Sequence, residues 1–384
     1  MDRREFLTRA GAVGVAGAGV YGVYHLVIRD PTSLSGPRVD EDHEPATYDI
    51  PTREGDLLLG ITPPSRDVTV LDPREAWLDR RHAVVGKFLD MGHPTAEIER
   101  LVNSLLHSTW ERGHTPHLFW QPFFPDRDNT SNEVNREIAN GEWDDYLDDW
   151  ANALAYWLMH PDEPDRRVYL NLAPEFNGDW SPWSPALGDE DEEDFVAMWR
   201  HVHDRVMDTG LTDSHVQWIW TLDNTTRGVD REACYPGDEY VDWAGIHGYN
   251  WANWGSWSTP EEVYGPTIDT IGRITDAPIA ITEFGTSSLT DDGEHDPEKK
   301  DEWIRDAYAF LGDENVRMAL YFDFVKETDW AVFDTPHPSD IVEINDREYG
   351  VAAAYKEVAT NDRILPANEE HPRTLTDDEF QGTF

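Results

Sequence analysis

The sequence predicts a single (β/α)8 TIM barrel of the α/β class, on three observations. Eight short, almost wholly apolar runs recur between residues 55 and 362, as expected of strands covered on both faces. Amphipathic stretches of helical period alternate with them, the pattern of a parallel sheet wrapped in helices. No glycine-rich phosphate loop follows the first run, so an open dinucleotide-binding sheet lacks its fingerprint. The 384 residues hold one barrel, which takes about 250, with flanking segments but no second full domain.

Before the barrel, residues 1–29 read as an export segment. Asp2-Arg3-Arg4-Glu5-Phe6-Leu7-Thr8 resembles a twin-arginine signal, and an apolar run follows from Ala10 to Ile28. The run reaches the roughly 18 residues that also suit an uncleaved membrane anchor. Residues 30–54 mix Pro, Gly, Ser and acids without period and are expected to be a linker. The strands are expected at Leu57–Ile61, Val84–Leu89, His117–Phe123, Val168–Ala173, Val216–Thr221, Trp243–His247, Ile279–Thr282 and Met318–Phe324. A short helix is expected near Arg74–His82. Thr95–Arg112 follows with Thr95 as N-cap and Ile98, Leu101, Leu105 and Leu106 on one face. Asp144–Met159, Glu192–Met207, Pro260–Ile274 and Pro297–Leu311 show the same period, and Ala352–Ala359 closes the ring. The connection Thr226–Asp242 reads mainly as loop. Residues 363–384 are acidic and aperiodic, and a flexible tail is expected there.

Charge narrows the partners. With 77 acidic and 31 basic residues the net charge is −46, which excludes nucleic acid and disfavours anionic membranes, since both are held through Lys and Arg. The only lysines are Lys87, Lys299, Lys300, Lys326 and Lys356. A diffuse acidic surface poor in lysine suits a high-salt milieu, where the Debye length falls to about 3 Å at 1 M. The single cysteine, Cys234, excludes an intramolecular disulfide framework.

Chemistry is sought at the C-terminal ends of the strands, where barrel active sites lie. The fourth strand runs into Ala173-Pro174-Glu175-Phe176-Asn177-Gly178-Asp179-Trp180-Ser181-Pro182-Trp183, and the seventh into Thr282-Glu283-Phe284-Gly285. Each delivers one Glu directly after an apolar strand. Two carboxylates facing across a mouth are what glycoside hydrolysis needs: one protonates the leaving oxygen, the other attacks C1 or activates water. Alone, either Glu in so acidic a chain reads as a solvated loop acid. Aromatics crowd the same ends: Trp120, Trp180, Trp183, Trp220, Tyr249, Trp251, Trp254 and Trp330. Such rings pack on the flat C–H faces of sugars, although Trp is largely buried on average and Trp220 suits the core.

These stretches, taken in order, resemble glycoside hydrolase family 26, a family of β-mannanases. The resemblance is carried by Ile138–Tyr146, by Glu175-Phe176-Asn177-Gly178-Asp179-Trp180 with Pro182-Trp183, by Tyr235–Trp243 with Gly245–Tyr249, by Glu283-Phe284-Gly285, and by Phe322-Asp323 with Asp329-Trp330. It implies a retaining mechanism in which Glu283 attacks the anomeric carbon and Glu175 serves as acid, then base. Proximity to the Glu283 anion favours the proton that starts on Glu175, because like charges resist joint ionisation. The resemblance also implies that Tyr249 hydrogen-bonds the nucleophile and that Trp330 stacks on the sugar beside the cleavage point. Asn177, Trp180 and Trp183 would shape the cleft, with Trp120, Gln121, His247 and Trp251 as further substrate contacts. Departures fall at Pro174, where the family carries His, at Gln121 in place of His, and at Ala331 in place of Arg. They put mannose specificity in question more than hydrolysis.

No cofactor and no metal is expected. His201 and His203 stand two apart, which splays them on a helix, and no Gly-x-Ser-x-Gly elbow supports a serine triad. The function expected is an exported, extracellular or cell-surface endo-β-glycan hydrolase acting on a polysaccharide, mannanase-like and monomeric. A β-glucanase or β-xylanase of the same fold is the nearest variant. A catalytically silent polysaccharide-binding barrel is the alternative from another class.

Overall fold

The computed structural model describes residues 53–161, 166–225, 227–252, 255–368 and 374–384. The export segment expected over residues 1–29 and nearly all of the 30–54 linker lie outside them, as does Trp254. No helix among the described residues is long and apolar enough to cross a membrane.

All eight expected strands form. They are β1 (Leu57–Thr62), β2 (Val84–Asp90), β3 (Thr115–Gln121), β4 (Val168–Leu172), β5 (Val216–Asp223), β6 (Trp243–Asn250), β7 (Ile279–Thr286) and β8 (Val316–Phe322). Each pairs in parallel with the next, and β8 pairs with β1 from Leu58↔Met318 to Thr62↔Phe322, so the sheet closes into a barrel. Helices fill the connections. They include Leu71–Leu78 after β1, Asp144–Leu158 after β3, Glu192–Met207 after β4, Pro260–Ile274 after β6 and Pro297–Asp313 after β7. The helix after β2 begins at Thr95 as expected, but Val102–His107 is π-helical. An added helix, Val134–Ala139, precedes Asp144–Leu158. The β5–β6 connection contains no helix among its described residues.

Alternation along each strand sets two layers. Leu58, Tyr169, Trp243, Ala280, Met318 and Leu320 fill the barrel interior, while Leu118, Trp120, Leu170, Trp218, Trp220 and Tyr321 face the helices. Close packing demands glycine at Gly60 and Gly86 inside the barrel. A Cβ at Gly60 would stand 2.7 Å from the Leu320 side chain, and one at Gly86 would meet Thr62 Oγ1 at 2.3 Å.

The tail differs from expectation. Residues Ile364–Leu365 form β11, which pairs in parallel with β1 (Leu57↔Ile364), and Asp377–Gln381 is a helix with a Thr376/Glu379 capping box. Leu365, Leu375 and Phe380 are buried against the bottom of the barrel interior. The Phe380 carbonyl accepts hydrogen bonds from Tyr169 Oη (3.0 Å) and Trp243 Nε1 (3.3 Å). Three spaced apolar residues in an acidic stretch are too few to show a period, which is why the sequence reads as flexible. A second unforeseen element is a hairpin of β9 (Asp340–Ile344) and β10 (Arg347–Val351) after β8.

One buried ion pair joins the seam of the closed sheet to the mouth. Arg74 donates to Asp323 Oδ2 at 2.5 Å, and Asp323 Oδ1 accepts from the backbone of Val332 (2.8 Å) and Phe333 (3.2 Å). Asp323 thereby fixes the loop that carries Trp330.

Candidate active site

Neither candidate acid reaches the mouth by simple strand alternation. Thr282 lies 3.5 Å, Oγ1 to Oγ1, from the inward-facing Thr221, so strict alternation would turn Glu283 outward. The β6–β7 register shifts between Ile246 and His247, so that Ile246 pairs with Ile281 but His247 pairs with Glu283. The extra residue re-aims Glu283 beside His247, as bulges near active sites do. At β4 the backbone turns through left-handed residues, Ala173 (φ 45°) and Glu175 (φ 58°), on either side of Pro174. Left-handed backbone in non-glycine residues carries strain that the surroundings must hold. Here Glu175 N–H donates to Thr221 O (3.1 Å), Gly178 N–H donates to Glu175 O (2.9 Å), and Trp183 Nε1 donates to Pro174 O (3.0 Å).

The two glutamates meet across an imidazole. His247 Nδ1 lies 3.0 Å from Glu175 Oε1 and 3.6 Å from Glu283 Oε2. Trp180 Nε1 donates to Glu175 Oε2 at 2.7 Å, and Tyr249 Oη donates to Glu283 Oε2 at 2.7 Å. All three charged groups are buried. Glu283 Oε1 and His247 Nε2 have no hydrogen-bond partner among the described residues. Burial raises the Glu283 carboxyl above its ordinary value, opposed by the imidazole and assisted by the Glu175 carboxylate. Burial alone would lower His247. The Glu283 charge and the hydrogen bond to Glu175 outweigh it, and the net shift is upward. Beneath them His117 is pushed down to about 3 by burial, so that it stays neutral.

Glu175, His247 and Glu283 are also the one group among the described residues whose ligand atoms, all within 4.8 Å of one another, could hold a metal ion. Within the group His247 Nδ1 lies at hydrogen-bond distance from Glu175 Oε1 and Glu283 Oε2 accepts from Tyr249, while His247 Nε2 and Glu283 Oε1 have no partner among the described residues.

The other expected contacts divide. Trp330 packs against Tyr249 (ring centroids 4.9 Å apart) and Trp251 (5.3 Å), beside Phe322, but is itself buried at 1% exposure, so that Tyr249 and Trp251 are the partly exposed rings of this group. Trp180 is at the site through its hydrogen bond. Gln121 faces the mouth from β3, its Oε1 accepting from Arg127 Nη2 at 3.0 Å. Trp120 is not in the cleft. It is fully buried on the outer face of β3, edge-on to Trp150 at 5.9 Å. Trp183 is likewise buried, edge-on to Phe123 at 5.0 Å, and Trp220 packs on Phe176. Asn177 is buried as well. Its Nδ2 donates to Asp223 O (2.8 Å) and Thr225 O (2.9 Å), and its Oδ1 accepts from Asp223 N–H (2.7 Å). Asn177 therefore ties the ends of β4 and β5 together and supports Glu175 from behind.

Sequence reasoning missed the polar groups on the other half of the mouth. Asp90 ends β2 and binds Arg127 through Nε (3.2 Å) and Nη2 (2.5 Å). Lys326, after β8, is within electrostatic reach of Glu283. The placement of Lys326 so soon after a strand end was the available signal. Lys300 is buried, and its ammonium donates to the carbonyls of Asp329, Trp330 (3.2 Å) and Ala331 (2.9 Å), which anchors the Trp330 loop from below.

Comparison with known proteins bears on this geometry. Residues 114–262 match glycosyl hydrolase family 26. That stretch contains Glu175, His247 and Tyr249, while Glu283 lies beyond it. Endoglucanase H of Acetivibrio thermocellus is 27% identical over 284 residues, 69% of this chain and 28% of that protein. A β-1,3-xylanase of a Vibrio species is 28% identical over 113 residues, 29% of this chain and 21% of that protein. The chain thus spans under a third of the length of these curated relatives. Among solved structures, a Bacillus subtilis mannanase superposes with a TM-score of 0.56 at 17% identity, over 83% of this chain and 90% of that one. The catalytic domain of a family 26 endo-β-1,4-mannanase from Bacillus sp. JAMB-750 gives 0.61 at 15% identity, over 81% and 87%. At such identities these structures speak for the barrel fold. The family 26 match covers the stretch from β3 to the helix after β6, under half of the chain.

Proposed function

We propose that the chain is a retaining endo-β-glycan hydrolase of family 26, with Glu283 as nucleophile and Glu175 as acid/base. The observation that carries the reading is the approach of the two carboxylates: one oxygen of Glu175 and one of Glu283 lie within 4.8 Å of each other. Retaining enzymes hold their carboxyl groups about 5–5.5 Å apart and inverting ones about 6.5–9.5 Å. Tyr249 occupies Glu283 Oε2 and leaves Oε1 to attack C1. As the glycosidic bond breaks, Glu175 gives its proton to the leaving oxygen. It then takes a proton from the water that releases the sugar. His247 holds positive charge between the two acids, and Trp180 orients Glu175 from the far side.

Specificity is the finer step. The mannanase-like reading is favoured by the order of motifs and by the solved neighbours. The names of the curated relatives keep glucan and β-1,3-xylan in view. Tyr249 and Trp251, partly exposed and packed on the buried Trp330, form an aromatic patch that suits a chain of sugars, and with it internal cutting. Export through a twin-arginine route and operation at high salt complete the proposal, supported by the Arg3-Arg4 motif and the net charge of −46.

The test is a panel of mannan, glucomannan, β-glucan and xylan at high salt, with reducing ends as readout. Glu283→Ala and Glu175→Ala are each expected to abolish turnover, and azide to restore it in Glu283→Ala as the α-azide. Full activity in either variant refutes the mechanism.

A further inference from the structure

The turn that carries Glu175 is held in part from outside its own strand. Pro174 has no N–H to donate, and the left-handed backbone at Ala173 and Glu175 carries strain that the surroundings must hold. Trp183 Nε1 donates to the Pro174 carbonyl at 3.0 Å, between those two residues. The indole is buried and packs edge-on against Phe123. It acts as a strut on the turn, and a strut needs a footing.

Asn135 supplies the footing. Its Nδ2 donates to the Trp183 carbonyl at 3.0 Å in a buried bond. Asn135 lies in the short helix Val134–Ala139, which begins without a side-chain cap of its own. Glu190 takes that place, accepting from the backbone of Asn135 (3.2 Å) and of Arg136 (2.7 Å). Trp183 and Glu190 both belong to the connection between β4 and the helix Glu192–Met207, so that connection grips the short helix at two points. The Arg136 guanidinium adds a third, pairing with Asp194 at 2.7 Å in the first turn of Glu192–Met207.

Packing alone does not account for Asn135. The residue is fully buried, and its Oδ1 has no hydrogen-bond partner among the described residues. A buried amide oxygen left unsatisfied costs stability, and leucine would fill a similar volume without that cost. What leucine lacks is the bond to Trp183.

We propose that Asn135 and Trp183 are positioning residues for the acid/base. Acting from Asn135 through Trp183 to Pro174, they hold the Glu175 carboxyl where it can protonate the leaving oxygen. Their side-chain hydrogen bonds go to main-chain carbonyls and not to a catalytic carboxyl. The inference rests on the hydrolase reading and adds to it the pair that aims its proton donor.

Two substitutions remove the bonds and keep most of the bulk, Asn135→Leu and Trp183→Phe. The first measurement needs no substrate. Deuterium exchange on the full chain reads the amides of Glu175 and Gly178, which donate to Thr221 O and Glu175 O within the turn. Loss of one supporting bond is expected to make them exchange about tenfold faster in each variant, with β1 and β8 unchanged. Unchanged exchange in the turn overturns the strut. The second measurement is kcat/KM on the dinitrophenyl and phenyl β-glycosides of mannobiose, cellobiose and xylobiose. Dinitrophenolate departs without a proton, whereas phenoxide needs one, so a misplaced acid slows the phenyl glycoside selectively. The phenyl glycoside is expected to lose about tenfold, part of the roughly 10²–10⁴ that general acid catalysis supplies, and the dinitrophenyl glycoside less than about twofold. Equal losses on the two leaving groups, or no loss on either, overturn the positioning role. Trp183→Phe keeps an aromatic ring against Phe123 and decides the outcome should Asn135→Leu fail to fold. Faster exchange in the turn, with no cleavage of any of these glycosides by the native chain, counts against the hydrolase reading and leaves the strut standing.

Discussion

The imidazole between the two glutamates makes a quantitative prediction. His247→Gln keeps a hydrogen-bonding side chain of similar reach and removes the charge. Glu283 must be ionised to attack, so activity falls as pH drops through its titration. The imidazolium lowers that titration point, and Glu175, on the far side, raises it. Removing the cation must therefore move the acidic limb of the pH profile upward. At 3.6 Å, with an effective dielectric of about 20, the attraction is bounded at about 4–5 kcal/mol, or about 3 pKa units at 1.36 kcal/mol each. Relaxation and water entry reduce this, and a shift of at least about one pH unit is expected.

The assay is kcat/KM against pH on the best substrate of the panel, which reports the free enzyme. Below the shifted limb the variant should lose about tenfold in rate for each unit of displacement, and approach the wild type above it. An acidic limb that stays in place while the rate falls evenly at all pH values refutes the electrostatic role and leaves His247 a packing residue.

Further outcomes follow from the same contacts. Both His247 and Glu283 titrate higher in the folded chain than when free, so their contribution to stability is full at low pH and is lost as pH rises through the folded values. Melting temperatures of Glu283→Gln and wild type should diverge in favour of the variant as pH climbs past about 4.5. Phe380→Ala removes a fully buried ring under the barrel and should cost about 3–5 kcal/mol, read as a melting point lower by roughly 6–10 °C, with kcat little changed. Asn177→Ala strips three hydrogen bonds, two of them buried, from the β5 end and should cost about 2–4 kcal/mol, with a fall in kcat because Glu175 loses its support. Lys300→Met leaves Asp329 buried without its cation, which should destabilise by about 3–5 kcal/mol. It should also raise KM more than it lowers kcat, since Trp330 rides on that loop.

The barrel was legible because its signal is redundant. Every strand is an apolar run between helices of clear period, and an error in one would not have changed the count. The ends were less so: β6 and β7 run on to Asn250 and Thr286, through polar residues that belong to the mouth and break the apolar pattern. The positions of Glu175, Glu283, Tyr249 and Trp330 could be read from their place after strands and from the family motifs. The orientation of tryptophans could not. Trp120 and Gln121 are adjacent, and a strand sends adjacent side chains to opposite faces, so both could not line the cleft. Trp120 took the outer face with Leu118, while Phe119, two residues from His117 and Gln121, took the inner one. The tail was misread for a different reason: its folding depends on a docking site under the barrel, made by Tyr169 and Trp243, which lies far away in sequence.

The aim of the two acids is the part that no periodicity contains. Each sits where a regular strand would have pointed it elsewhere, Glu283 through a register shift and Glu175 through left-handed backbone beside a proline. That explains how Pro174 can stand where the related motif carries histidine. Proline fixes its own φ near −65° and donates no hydrogen bond, so it supplies stiffness at a strained turn, while its carbonyl remains free to accept from Trp183. The imidazole that touches Glu175 comes instead from β6, as His247, and the same register shift that turns Glu283 inward brings it alongside that ring. On this view Pro174 and His247 act together: one holds the acid's backbone in a costly conformation, the other supplies the charge that keeps both carboxylates in place. Pro174→His in the native background should therefore relax the turn without replacing His247, and lower kcat. In the His247→Gln background it should fail to restore the pH profile. A restored acidic limb in that double variant would show that an imidazole at residue 174 can reach Glu283, and would break the link drawn between the two strands.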